Sequence, residues 1–115
     1  RVRRERAPRA ARAGLRRAEA AARAGDRVAF HDAVWASLAA YFGDRLNLPP
    51  GEVAAETVIA RAGEAAPDAW RDEVRRLFAE CMAARYAGAG APAPDYPAML
   101  ARLRAVLRQS ERLKW

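Results

Sequence analysis

The chain has 115 residues and a net charge of +7, with a single cysteine and a single histidine. One cysteine excludes an internal disulfide, and so few cysteine and histidine residues do not supply the ligand spacings of a zinc site. The length allows one domain with one hydrophobic core. No apolar run reaches the roughly eighteen residues of a membrane span, so none is predicted within the chain.

The positive charge is concentrated at the amino terminus. Residues 1–23 contain nine arginines and two glutamates, whereas residues 24–115 contain twelve basic and twelve acidic side chains. A neutral body with a cationic end favours an anionic partner, which would be a phospholipid surface, a nucleic acid or an acidic protein. Lys114 is the one lysine of the chain, and this excess of arginine is also typical of a GC-rich genome.

The first predicted elements are a basic arm and a helix. Residues 1–8 lack apolar periodicity and predict a flexible arm, after which Pro8 can open a helix. The helix extends to Ala24, where Gly25 ends it and Asp26 caps the next one. Its apolar stripe is thin and consists of Ala11, Leu15, Ala18 and Ala22.

The second helix carries the widest apolar face of the chain and is predicted over Arg27–Leu46. Large apolar residues recur there every four positions, at Phe30, Val34, Leu38 and Phe42. The proline-rich segment 47–51 ends this helix. A short third helix, anchored by Val58 and Ile59, is predicted over Val53–Gly63.

Two further helices complete the chain. The fourth starts at Pro67–Asp68, ends near Tyr86 and has an apolar stripe formed by Trp70, Val74, Leu77, Cys81 and Ala84. After a Gly/Pro loop, Asp95 caps a fifth helix with apolar residues at Met99, Leu103, Val106, Leu107 and Leu113. No strand pattern is present. The sequence therefore predicts an all-α bundle of about five helices, as one domain over residues 9–115 that follows the arm.

The opening hairpin resembles half of a tetratricopeptide-type repeat, because a small-residue helix passes through Ala24-Gly25-Asp26 into a helix with an early Phe30. No second copy follows at a fixed period.

Trp115, the last residue, is expected at the surface.

The sequence offers no catalytic constellation. His31 stands beside Asp32 on a helix, where adjacent side chains point about 100° apart and do not face each other. No serine or cysteine is predicted to meet His31, and Cys81 on its apolar stripe is interpreted as a core residue. We therefore expect a protein that is not an enzyme and uses no metal or cofactor.

The basic arm allows three interpretations: a solvated tail, a membrane flank and a nucleic-acid contact. The membrane flank is favoured, since lysine and arginine are enriched within about fifteen to twenty residues of a span on its cytoplasmic side. The abrupt arginine-rich start is what a cut just after a transmembrane helix would leave. The residues expected to contact anionic lipid are Arg1, Arg3, Arg4, Arg6 and Arg9. The alternative is a small helical protein that binds nucleic-acid phosphates through the same arginines.

Two segments carry a family resemblance: YFGDRLNLPPGEV, at residues 41–53, and LFAECMAARYAGAG, at residues 77–90. Together with the opening hairpin, they resemble the C-terminal cytoplasmic domain of the BatD family of bacterial oxygen-tolerance proteins, over about residues 12–113. The motif residues, interpreted as structural, are Tyr41, Arg45, Leu46, Cys81, Arg85 and Tyr86. Tyr86 is expected to close its helix against the core, and Arg85 to pair with a carboxylate.

The resemblance implies a place and a set of partners. A BatD-like domain would lie on the cytoplasmic face of the inner membrane, behind a single transmembrane helix. It would work through protein–protein contacts, beside MoxR-type ATPases and Bat proteins with von Willebrand factor A domains, in aerotolerance, stress response or assembly. The family has no assigned catalytic residues, so none is expected here.

Overall fold

The computed structural model describes the backbone of residues 2–115 and the side chains from Arg4 onward. Within this range five α-helices and one 3₁₀ turn follow one another without a strand, which confirms the predicted all-α bundle. The elements are α1 (Val2–Ala24), α2 (Arg27–Leu46), a 3₁₀ turn (Pro50–Glu52), α3 (Ala55–Ala62), α4 (Asp68–Arg85) and α5 (Tyr96–Arg112). No helix among these has both the length and the apolar character that crossing a membrane requires.

Helices α1 and α2 form a closely packed hairpin through small side chains. An added Cβ on Gly14 would lie only 2.8 Å from the Cα of Ser37, so the two backbones approach as nearly as glycine permits. The Ser37 hydroxyl donates a hydrogen bond of 2.8 Å to the carbonyl of Ala11 on α1. The predicted opening hairpin is therefore confirmed.

Helix α1 starts earlier than predicted. It runs from Val2 through Pro8 without a break, so residues 2–8 are helical and do not form a flexible arm. Within this segment Ala7 is fully buried, and it extends towards the amino terminus a buried alanine stripe that continues through Ala11 and Ala18. Alanine carries little weight in an apolar pattern, yet here it is what allows the close approach of α2. Arg1 and the side chain of Arg3 lie outside the described residues.

Helix α2 lies at the centre of the core. Phe30, Val34, Leu38 and Phe42, the four residues of its predicted stripe, are all fully buried. Both predicted aspartate caps are confirmed: Asp26 accepts from the backbone of Ala29 and Asp95 from that of Ala98, each at 3.1 Å. Helix α2 ends at Leu46 as predicted, with Asn47 in the left-handed conformation (φ 56°).

The carboxyl terminus packs against the core and is not left at the surface. The Trp115 ring lies 5.6 Å from Trp70 and 6.0 Å from Phe42, both edge-on. Its carbonyl accepts a hydrogen bond from Arg4 at the start of α1. The two ends of the described chain are thus held together, which orients α1 beside α5.

Candidate interaction surface

The outer face of α1 carries a straight row of arginines. Arg9, Arg16 and Arg23 are spaced by seven residues, nearly two helical turns, and therefore lie on one side of the helix. We call these three residues the arginine row. All three are exposed and lie opposite the buried alanine stripe. The row is therefore held at the surface of a helix that is fixed from behind by α2.

Over residues 24–115 the twelve basic and twelve acidic side chains balance in number, and several of them form ion pairs. Around α4 the pairs are Arg71–Asp68 (2.9 Å), Arg75–Glu56 (2.8 Å), Arg76–Glu73 (3.3 Å) and Arg102–Glu80 (2.6 Å). Carboxylates on both sides of Arg102 raise its pKa, with the hydrogen bond to Glu80 as the largest cause. None of the ion pairs among the described residues involves the arginine row. The excess of positive charge therefore lies in residues 1–23, most of which form α1.

A groove runs between α1 and α5 beside the arginine row. It consists of two depressions of about 270 and 580 Å³, and Arg104 lines both of them. Apolar side chains form its floor, namely Ala11, Leu15, Ala22, Leu100 and Leu107. Arginines line its rims, namely Arg12, Arg23, Arg104 and Arg108. We call this feature the α1–α5 groove.

A partly buried hydrogen bond lines the smaller depression of the groove. The Tyr41 hydroxyl donates to the Glu111 carboxylate of α5. Burial, together with the nearby Glu111, raises the pKa of Tyr41 far above its ordinary value, so the phenol stays protonated. Arg45 donates to the Leu113 carbonyl at 3.4 Å, and the Leu46 carbonyl accepts from Arg61 at 3.1 Å. Tyr41 and Arg45 thus tie the end of α2 to α5, and Leu46 ties it to α3.

The second motif segment differs in part from its prediction. Cys81 is buried as expected, but Tyr86 is 84% exposed and does not close α4 against the core. The helix ends at Arg85, and Tyr86 lies off the apolar stripe that Trp70, Val74, Leu77 and Cys81 define, so it turns outward. The guanidinium of Arg85 stacks 5.5 Å above the ring of Trp35 rather than on a carboxylate.

The structure brings His31 and Cys81 to one depression of about 250 Å³, which Asp32 also lines. The proximity of Cys81 to His31 could not be predicted from the sequence, because the two residues lie on helices that are far apart in the chain. The arrangement still does not form a nucleophile: burial raises the pKa of the Cys81 thiol to about 12. His31 Nδ1 lies 3.0 Å from the carbonyl of Arg27, one helical turn earlier.

Metal chemistry finds no support among the described residues. No group of three or more histidine, cysteine or acidic side chains comes together there in a way that could hold an ion. A further depression of about 510 Å³ lies between α2 and α4 and is lined by Trp35, Phe78 and Met82. Its one charged pair, Glu56 with Arg75, is already joined by hydrogen bonds of 2.8 and 3.3 Å. That surface therefore has no preference for a charged partner.

Comparisons with family models, with curated proteins and with solved structures find no match to the chain. The resemblance to the BatD family rests on the two motif segments and the opening hairpin, and it stays a prediction. The surface features of the described chain that can support a function are the arginine row and the α1–α5 groove.

Proposed function

We propose that this chain is a non-catalytic interaction domain that rests on an anionic membrane surface through α1. The observation that carries the proposal is the arginine row: three exposed arginines on one face of α1 without an ion pair among the described residues. A face of this kind, on a molecule whose other surfaces are balanced, attracts an extended negative surface.

The geometry of the row supports a flat partner. Arg9 and Arg23 are fourteen residues apart on one helix, which corresponds to about 21 Å along its axis. Each arginine near an anionic leaflet contributes about 1 kcal/mol to binding. Three such residues on a preformed helix would strengthen membrane association by about 100-fold.

The BatD resemblance adds a location and partners to this proposal. A BatD-type domain would lie at the cytoplasmic face of a bacterial inner membrane, with α1 near the lipid. It would contact MoxR-type ATPases and von Willebrand factor A-domain proteins there, in aerotolerance, stress response or assembly. The protonated Cys81 thiol, which is buried as Tyr41 and Leu46 are, is consistent with a role that requires no catalysis.

The test is co-sedimentation with lipid vesicles. The protein should bind vesicles that contain phosphatidylglycerol and should dissociate from them as salt is added. It should not bind vesicles of phosphatidylcholine alone. The double variant R9Q/R16Q should bind about 30-fold more weakly, since two charges are lost. The matched control R76Q/R112Q removes the same charge from α4 and α5 and should bind as the wild type does.

The same variants separate the membrane proposal from its alternative, nucleic-acid binding. Phosphates of duplex DNA would also be attracted to the arginine row, with an affinity that falls steeply as salt rises. Tight DNA binding that R9Q/R16Q abolishes, together with no binding to anionic vesicles, would replace the membrane proposal by the nucleic-acid one. Equal loss of vesicle binding in R76Q/R112Q would show that net charge, and not the row, is responsible.

A further inference from the structure

We propose that the α1–α5 groove binds an acidic amphipathic helix of a partner protein. This inference deepens the proposed function, on which it rests for the view that the domain acts through contacts with other macromolecules. The groove is separate from the arginine row in all but Arg23, so the two surfaces can be tested independently.

The first argument is the shape of the groove. The smaller depression follows α1 from Pro8 to Leu15, which spans about 10 Å or two helical turns. The ion pair of Glu19 with Arg104 joins α1 to α5 where the second depression begins. Leu15 on α1 and Leu107 on α5 lie partly buried in its floor and remain accessible. Apolar contacts along a groove of this length fit a helix that presents apolar residues at positions i, i+3, i+4 and i+7.

The second argument is charge complementarity. Four arginines line the groove, and its two acidic residues are already engaged: Glu19 pairs with Arg104, and Glu111 accepts from Tyr41. Arg12 and Arg108 take part in none of the ion pairs among the described residues. Acidic side chains that flank an apolar stripe would meet these two free guanidinium groups, one on each wall.

Flat or bulky partners do not fit this groove. Duplex DNA offers no apolar surface for Leu15 and Leu107, and a bilayer cannot enter a cleft between two helices. The depression at Trp35 and Met82 is apolar too, but its charges are paired, so it gives no reason to select an acidic segment. Within the described part of the chain, the α1–α5 groove combines an accessible apolar floor with arginines on both walls that form no ion pair there.

The experiment uses a fluorescein-labelled sixteen-residue peptide as the probe, with leucines on one helical face and glutamates on its flanks. Its binding to the full chain is measured by fluorescence anisotropy. A peptide of the same composition in scrambled order keeps the charge and loses the stripe. We expect the patterned peptide to bind about tenfold more tightly than the scrambled one, and R12Q/R108Q to weaken it about tenfold.

The matched control is R9Q/R16Q, which removes the same charge from the arginine row and should leave peptide affinity within about twofold. Equal weakening by both double variants would overturn the groove proposal, since charge alone would then explain binding. Absence of binding, or equal affinity for the scrambled peptide, would overturn it as well. Vesicle binding tests the proposed function separately. If R9Q/R16Q loses vesicle binding and keeps peptide binding, both proposals are upheld. If R12Q/R108Q loses vesicle binding instead, the assignment of the groove to a peptide is contradicted.

Discussion

Replacement of Gly14 by alanine tests the close approach of α1 and α2, on which both surfaces depend. An added Cβ would lie 2.8 Å from the Cα and Cβ of Ser37 and 2.9 Å from its backbone nitrogen. Because two of these three atoms belong to the backbone, a side-chain rotation cannot relieve the contact. The helices would have to separate, and the hydrogen bond from Ser37 to Ala11 would lengthen.

The expected magnitude follows from opposing contributions. Alanine in place of glycine favours a helix by about 1 kcal/mol. Overpacking costs about 1–3 kcal/mol, and a weakened buried hydrogen bond costs about 1 kcal/mol more. We therefore expect Gly14→Ala to lower the free energy of unfolding by about 1–3 kcal/mol, against the direction of its helix propensity.

The assay is urea denaturation monitored by far-ultraviolet circular dichroism, which reports the helix content. Ala20→Gly is the matched control, because Ala20 is an exposed position of the same helix and reports the propensity contribution alone. The Ala20→Gly variant should lower the free energy of unfolding by about 1 kcal/mol. If Gly14→Ala were as stable as the wild type, or more stable, the two helices could not pack as closely as described and the reasoning would be refuted.

Three other predictions concern the ends of the core and the thiol. Tyr41→Phe removes the bond to Glu111 and should lower the free energy of unfolding by about 1 kcal/mol in urea melts, and no loss would contradict a role for that bond. Deletion of Trp115 exposes the ring of Trp70 and should lower the free energy of unfolding by about 2–3 kcal/mol in urea denaturation. Cys81 should react slowly with a thiol reagent at pH 8 when native and quickly in urea. Its folded pKa of about 12 exceeds the ordinary 9.0, so its contribution to stability should decline from pH 9 to pH 12, a decline that Cys81→Ala removes.

The sequence predicted the elements built on large apolar side chains. The four-residue recurrence from Phe30 to Phe42 marks a buried face, and the aspartate at position 26 and the prolines after Leu48 bound its helix on either side. Residues 2–8 were misjudged because Ala7 is the one buried side chain among those described from Arg4 to Pro8, and a single alanine carries little weight in an apolar pattern. Small side chains permit close packing only if a partner helix is in the right place, which a single segment cannot show.

The candidate site was predictable in its charge and not in its shape. The excess of arginine before Ala24 indicated an anionic partner, but the residues named for it began at Arg1, whereas the exposed row continues to Arg23. The groove could not be derived, since the ion pair of Glu19 with Arg104 joins residues 85 positions apart. Tyr86 was misplaced although α4 ends where the sequence predicted, because it follows Cys81 by five residues and therefore lies off the buried face of the helix.

The most direct test of the central claim places a fluorophore on α1 without removing a charge. Ala20 lies four residues from Arg16 and three from Arg23, on the same exposed face. The emission of a polarity-sensitive dye attached to Ala20→Cys should shift to shorter wavelength when vesicles with phosphatidylglycerol are added. The emission of the same dye attached to Ala83→Cys of α4 should not change. Equal shifts at both positions, or none at position 20, would contradict an anionic membrane contact through the arginine row.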